Sequence, residues 1–391
     1  MRLALLTGGG DKPYALGLAA ALTSAGVAID FVGSDDLEVP EVLNDPLINF
    51  LNLRGDQRSD ATFFRKMSRI FRYYVRLIEY ATTATPVMFH ILWNNKFEFF
   101  DRVVLMLYYR LLGKKLILTA HNVNVAKRDS KDSLLNRLSL TIQYRLADHI
   151  FVHTGEMKTE LMKDFGVHES RVSVIPFGIN STVPITSLAR SEARHRLGIE
   201  PTDKALLFFG NIAPYKGLEY LVDALGILQR SDQAYRLIIA GRAKGDDNYW
   251  TRIEQAIVDN NLRDCVVQRV EYIPDAETEI YFKAADVLIL PYTRIFQSGV
   301  LFLGYNFGLP VIASDIGSLR NDIVEGRTGF VCRERDAADL ARSVSTFFSS
   351  SLCEEPETTR EEIRHHALEH YSWGKVSEII TVVYQSLLQT G

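Results

Sequence analysis

The sequence predicts an α/β chain built as two doubly wound domains, and three observations carry that prediction. Short apolar, β-branched runs such as Val287 to Leu290 alternate with helical segments, which is the rhythm of parallel βαβ units. A glycine-bearing loop follows the first strand of each half, at Gly8-Gly9-Gly10 and again at Gly210 to Gly217. The length, 391 residues, exceeds what one hydrophobic core usually serves.

In order, Arg2 to Leu6 reads as a buried strand that runs into the glycines and then a helix from Tyr14 to Ser24. Glycine there permits a tight turn or a close approach to a ligand, and both readings stand. Ile29 to Gly33 is the next strand. Phe63 to Tyr80 places Phe63, Phe64, Met67, Ile70, Phe71, Tyr74, Leu77 and Ile78 at helical spacing, with Arg65, Lys66, Arg69, Arg72 and Arg76 opposite. Such a helix packs its apolar face on the core or lies on an anionic membrane surface; the packed reading is preferred, and both can hold at once. Val87 to Leu92 and Lys115 to Thr119 read as strands around an apolar helix, Phe97 to Leu112. The second delivers His121 to a strand's carboxyl end, where ligands sit in such sheets. Lys127, Arg128 and Lys131 make a polar loop before the helix Leu134 to Leu146. Ile150 to His153 and Val172 to Pro176 are the last strands of this half, and Phe177 to Ser187 is the linker candidate.

Ala205 to Phe209 opens the second half, followed by a loop containing Asn211 and Lys216 and a helix from Leu218 to Gln229. Leu237 to Ala240, Val266 to Val270 and Val287 to Leu290 follow as strands. The stretch Asp286 to Gly317 gathers polar residues in one place: Pro291 stops a strand, Ser298 can cap a helix over Gly299 to Phe307, Gly308 ends it, and Pro310 to Ala313 is the next strand. Backbone N–H groups at Gly299, Val300 and Leu301 would then point at an anion, most often a phosphate. Ser349 to Thr359 is polar and reads as a loose connection. Trp373 to Leu388 is an amphipathic terminal helix.

Composition excludes several classes. Cys265, Cys332 and Cys353 are odd in number and lack CxxC spacing, so neither a disulfide framework nor a zinc site is indicated. No segment reads as a signal peptide or membrane span, which places the protein in the cytosol. Residues 1 to 180 hold 22 Lys+Arg against 19 Asp+Glu, and residues 181 to 391 hold 22 against 29. That asymmetry is too mild for a nucleic-acid binder, though it makes the first half the one to meet an anionic partner. Asp246-Asp247 and Asp129 with Asp132 read as solvated loops, not metal ligands.

Taken in order, FFGNIAPYKGLEYLVDAL, LIIAGRAKG, EYIPDAETEIYFKAADVLILPY, SGVLFLGYNFGLPVIASDIGSL and EGRTGFVC resemble the C-terminal domain of family 4 retaining glycosyltransferases of the GT-B fold. The first half is similar too, in its glycine loop, in His121 and in VSVIPFGIN. The resemblance implies two Rossmann-like domains facing a cleft: an acceptor-binding domain over 1–178, a nucleotide-sugar-binding domain over 179–372, and a terminal helix over 373–391 returning to the first. It implies a metal-independent retaining transferase without a cofactor. A sugar would move from a nucleotide-sugar to a glycan or lipid-linked acceptor in polysaccharide or glycolipid biosynthesis, at the cytoplasmic membrane face. Lys216 matches the family's phosphate-binding lysine and His121 its donor-sugar histidine. Gly9, Gly10, Asn211, Gln297, Ser298, Gly299, Val300 and Leu301 fall around diphosphate and sugar, and Tyr272 and Ile273 where the base is framed.

Two departures stand out. Ile295 and Leu303 occupy the positions of the family's two glutamates, and no glutamate occurs between Glu279 and Glu325. Asn211 replaces a common arginine. Gln297 and Ser298 are the groups placed to compensate, or are simply a turn and an N-cap. The alternative function is therefore a catalytically silent GT-B protein acting as a binding or partner subunit.

Overall fold

Seven parallel strands form the first sheet: β1 (Arg2–Leu6), β2 (Ala28–Gly33), β3 (Ile48–Asn52), β4 (Met88–Ile91), β5 (Lys115–Ala120), β6 (His149–Val152) and β7 (Val172–Val174). Their order is β3-β2-β1-β4-β5-β6-β7. Six more form the second: β8 (Lys204–Phe209), β9 (Tyr235–Ala240), β10 (Val266–Arg269), β11 (Val287–Leu290), β12 (Val311–Ser314) and β13 (Gly329–Cys332), in the order β10-β9-β8-β11-β12-β13. These come from a computed structural model that describes residues 1–57, 62–128, 132–179, 183–244 and 247–389. The chain divides into two units, Met1–Gly178 with Tyr371–Gly391, and Ile179–His370.

The strands read from sequence are the nine central ones, apolar for most of their length, and two edge strands, β7 and β10. β3 and β13 escaped that reading. Each is an edge strand, INFLN and GFVC, with polar or small residues breaking the apolar run. The helix expected over Phe97 to Leu112 is interrupted by a π-helical stretch, Phe100–Leu105, before an α-helix over Met106–Leu111. Ser349 to Thr359 is not a loose connection. It forms the helix Ser351–Glu354 and the start of Pro356–Tyr371, held because buried Arg360 donates to the carbonyls of Ala285 at 2.7 Å and Phe307 at 3.1 Å.

Helix Phe63–Thr83 packs only through its second half. Tyr73, Tyr74, Leu77 and Ala81 are buried, whereas Phe63, Phe64 and Phe71 are 71%, 84% and 71% exposed. The core-packed reading therefore fails for the first three turns, because spacing reports which residues share a face and not where the core ends. Among the described residues, no helix is long and apolar enough to cross a membrane.

The terminal helix, Trp373–Gln389, completes the core of the first unit with Val376, Ile380 and Tyr384, all fully buried. Tyr384 Oη lies 2.5 Å from His90 Nδ1. Trp373 fits where two glycines make room, since a Cβ on Gly17 or Gly178 would collide with its indole, and it meets Tyr14 edge-on at 5.1 Å. Trp373→Ala is expected to lose about 3 kcal/mol of stability, the low end for a large aromatic in a partly buried site, measurable by urea unfolding.

Candidate active site

In each sheet the strand order turns round at one place, between β1 and β4 in the first and between β8 and β11 in the second. Loops leaving the carboxyl ends of such a strand pair diverge, and a ligand crevice opens between them.

In the second unit those loops carry Lys216 and the segment after β11. The chain leaves β8 through Gly210 (φ +101°), makes a 3-10 turn over Pro214–Lys216, and enters the helix Leu218–Gln229 at Gly217 (φ +65°). Gly217 needs both its left-handed backbone and its missing Cβ, which would strike the Pro291 carbonyl at the end of β11. Thr293 N–H donates to Tyr215 O at 2.9 Å and ties the two loops together. Lys216 is thereby turned inward. It is 5% exposed, and its Nζ donates to Tyr292 Oη at 2.6 Å while lying 4.3 Å from the centre of that ring.

Ser298 Oγ donates to the same Tyr292 Oη at 3.3 Å. Among the described residues no ion pair engages Lys216, and burial pushes its pKa down to about 8, opposed only weakly by Tyr215. A buried cation without a counter-charge is expensive, and an anion brought to it recovers that cost. The helix Gly299–Asn306 opens beside it: the Cβ position of Gly210 lies 3.4 Å from Val300 Cγ2 and 3.8 Å from Lys216 Nζ. Gln297 adds a buried Oε1 that has no hydrogen-bond partner.

In the first unit His121 follows β5 inside an aromatic cluster. Its ring stacks on Trp93 at 4.2 Å and 3°, with Tyr14 edge-on at 4.5 Å. His153 Nε2 lies 3.1 Å from His121 Nδ1, and His153 Nδ1 lies 3.4 Å from Ile175 O. A carbonyl only accepts, so His153 carries its proton on Nδ1 and receives the Nδ1–H of His121 at Nε2. His121 Nε2 is then left as a bare acceptor, and it is buried without a partner. Burial, reinforced by the neighbouring His153 and His90, holds the His121 pKa well below the usual imidazole value. The imidazole is neutral and suited to accept a hydrogen bond from a ligand hydroxyl. A cavity of about 200 Å³ adjoins it, lined by Trp93, Asn94, Arg102 and Gln143 among others.

Placement of the expected residues is mixed. Lys216 and Ser298 meet at Tyr292, Val300 and Lys216 both border Gly210, Gln297 precedes Ser298 in the chain, and Asn211 is half-buried in the Lys216 loop. Ser298 stands at the helix N-cap position but its side chain makes no capping bond, because the hydroxyl is turned to Tyr292. Leu301 N–H is committed to Ser298 O at 3.1 Å, so the free-donor reading does not hold for Leu301. Gly299 is exposed at the helix start.

Tyr272 is 65% exposed and Ile273 is 7%, both beyond the end of β10. Space around Gly9 and Gly10 is filled by protein: a Cβ would strike the Arg54 guanidinium at Gly9 and the Trp93 indole at Gly10. Sequence reading missed Tyr292, Trp93, Tyr14 and His153. Tyr292 and Trp93 do share one sequence signal, an aromatic two residues past the end of a switch-point strand.

Arg190, Asp286, Lys204 and Pro310 border another cavity, of about 250 Å³, but at the amino ends of β8, β11 and β12, where Arg190 pairs with Asp286. It is structural. Asp129, Lys131 and Asp246 lie outside the described residues. Among the described residues no group of three or more His, Cys, Asp or Glu is arranged to hold a metal ion.

Residues 8–183 match the Glycosyltransferase Family 4 model and residues 203–350 match that of Glycosyl transferases group 1. The chain belongs to the family 4 glycosyltransferases. It is 28% identical over 246 residues to a D-inositol 3-phosphate glycosyltransferase of Pseudarthrobacter chlorophenolicus, covering 61% of this chain and 58% of that one. It is 26% identical over 291 residues to the Nocardia farcinica protein of the same name, covering 70% and 61%. The match thus spans less than two thirds of either relative. Among solved structures, sucrose-phosphate synthase from Thermosynechococcus elongatus superposes with a TM-score of 0.78 at 19% identity over 100% of both chains. HepE of Anabaena in complex with UDP-glucose superposes at 0.74 and 16% identity, over 99% of this chain and 100% of that one. These likenesses show the fold, GT-B with two Rossmann-like domains.

Proposed function

We propose that this family 4 protein transfers a sugar, with retention and without a metal, from a nucleotide-sugar to a glycan or lipid-linked acceptor. The observation that carries the reading is the unpaired, buried Lys216 ammonium beside the start of helix Gly299–Asn306. Cleaving a sugar–diphosphate bond loads negative charge on the leaving phosphate, and fixed donors aimed at that charge supply the largest share of such catalysis. Lys216 provides the cation, Gly299 and Val300 the backbone N–H groups, and Tyr292 holds Nζ in place from behind. Gln297 and Asn211 serve the sugar and diphosphate, and Tyr272 and Ile273 flank the base. His121, neutral and with Nε2 open, accepts from a sugar hydroxyl rather than acting as a nucleophile. HepE of Anabaena, a structural neighbour with UDP-glucose bound, supports a nucleotide-sugar as the donor class.

The test is thermal unfolding of the full chain against a panel of nucleoside diphosphates and their sugars. One base is expected to stabilise the folded state by about 2.7 kcal/mol at a hundredfold excess over Kd. No shift with any of them would remove the reading.

Leu303, buried at 6% exposure, and Ile295 stand where the family carries glutamates, and this favours a second reading in which nucleotide binds without transfer. A thermal shift without release of nucleoside diphosphate in the presence of acceptor lipids and glycans would select it.

A further inference from the structure

Arg65, Arg69, Arg72 and Arg76 follow one another at spacings of four, three and four along helix Phe63–Thr83, which makes a single stripe. With Arg54, just beyond the carboxyl end of β3, they line a cavity of about 500 Å³. Among the described residues its lining holds one carboxylate, Asp56. None of the ion pairs among the described residues engages any of these five arginines. A stripe of like charges four residues apart destabilises the helix that bears it, and an anion brought to the cavity would relieve that repulsion.

Arg54 makes the case specific. Its guanidinium sits 5.2 Å from the centre of the Tyr73 ring, which fixes it by cation–π attraction. On its other side the missing Cβ of Gly9 lets the β1 loop lie directly against it. Arg54 Nη1 is out of solvent with no acceptor. A merely solvated basic face would not hold a buried guanidinium nitrogen without an acceptor at the head of a cavity lined by four more guanidinium groups. Arg54 also stands at the carboxyl ends of β1 and β3, the ligand side of the sheet.

We propose that this cavity is an anion site for a phosphate or diphosphate group carried by the acceptor. Planar guanidinium forks match phosphate oxygens in pairs, and five around one cavity suit a group with two or more negative charges. That the anion belongs to an acceptor rests on the transfer reading above, whereas the existence of the site does not. The same chemistry is offered by a free phosphorylated glycan and by the headgroup of a polyprenyl diphosphate.

Calorimetric titration with inorganic pyrophosphate tests it, on wild type, an Arg69→Gln/Arg72→Gln double variant and Lys216→Met. Neither arginine is buried, and thermal unfolding checks that the double variant folds. One site is expected in Lys216→Met, where the arginine cavity remains; wild type shows that site together with the one at Lys216, and the double variant loses the arginine-cavity site or weakens it about tenfold or more. Equal binding by wild type and double variant, or no binding by Lys216→Met, would each overturn the proposal.

Flotation with phosphatidylcholine vesicles, with and without a polyprenyl diphosphate, assigns the source. Recruitment that the double variant loses indicates the lipid, and pyrophosphate binding without recruitment indicates the free phosphate. Recruitment to phosphatidylglycerol vesicles that survives in the double variant, without pyrophosphate binding, counts against the site. Pyrophosphate binding without any nucleotide-induced shift would leave this site standing and remove the transfer reading alone.

Discussion

Between pH 7 and pH 5 the first unit is expected to lose roughly 5 to 6 kcal/mol of stability, enough to unfold a typical domain. The cause is its buried, neutral histidines. His90 is fully enclosed, with Nε2 2.7 Å from Thr119 Oγ1 and Nδ1 2.5 Å from Tyr384 Oη, and burial pushes its pKa down to about 3. Burial pushes His149 and His153 to about 4, and Arg171 adds to the effect on His149. His121 is depressed as well. Among the described residues no carboxylate holds any of these rings, and the backbone bonds of His153 to Ile175 and Pro176, which favour its charged form, are outweighed by burial.

The sign follows. An unfolded histidine takes up a proton below about pH 6.5, while the folded one does not until the pH falls through its depressed value. Stability is therefore full above about pH 6.5 and declines down to about pH 3, where His90 takes up its proton in the folded state. Each such group is worth about 2 kcal/mol between pH 7 and pH 5, and His90, His149 and His153 give the total. In the second unit His366 is the one histidine, among the described residues, with a depressed pKa, so that unit should outlast the first. Tryptophan fluorescence can follow this, because Trp93 and Trp373 lie in the first unit and Trp250 in the second. A spectrum unchanged to below pH 5 would contradict the neutral, buried assignment.

The same histidines show what a sequence can and cannot disclose. That His121 ends a strand was readable, because a β-branched apolar run stops one residue before it. That its Nδ1 is committed to His153 was not, because β5 and β6 become neighbours only once the sheet order is known. The central strands, both glycine loops and the position of Lys216 were legible, since each is written locally as an apolar run ended by glycine or proline. β3 and β13 were not, because polar or small residues break their apolar runs, whereas β7 and β10, also at sheet edges, keep a valine signal. Ser298 shows a further limit: its place before a helix predicts a cap, yet a tyrosine six residues earlier claims the hydroxyl. Likewise the spacing in Phe63 to Tyr80 defined a helix, but the exposure of Phe63, Phe64 and Phe71 depends on where its packing partners stop.

Replacing Lys216 by methionine is expected to weaken nucleotide binding about 10- to 150-fold and to slow transfer about 10²- to 10³-fold, without lowering the stability of the unliganded protein. The two halves of that expectation have one origin. In the empty site the ammonium is buried, hydrogen-bonded to a neutral tyrosine and opposed by no carboxylate, so its desolvation is uncompensated. Methionine keeps the volume and removes that cost, at the expense of one hydrogen bond to Tyr292, which still receives Ser298. A lysine that merely began a solvated helix would show neither effect. The depressed pKa adds a signature. Below about pH 8 the empty site already holds the cation and affinity for a nucleoside diphosphate should be flat. Above it the amine must take up a proton on binding, so affinity falls by up to tenfold per pH unit. Lys216→Met should abolish that slope. Calorimetry from pH 7 to pH 9.5 measures both quantities, and a variant that binds nucleotide as tightly as wild type would move the anion away from β8 altogether.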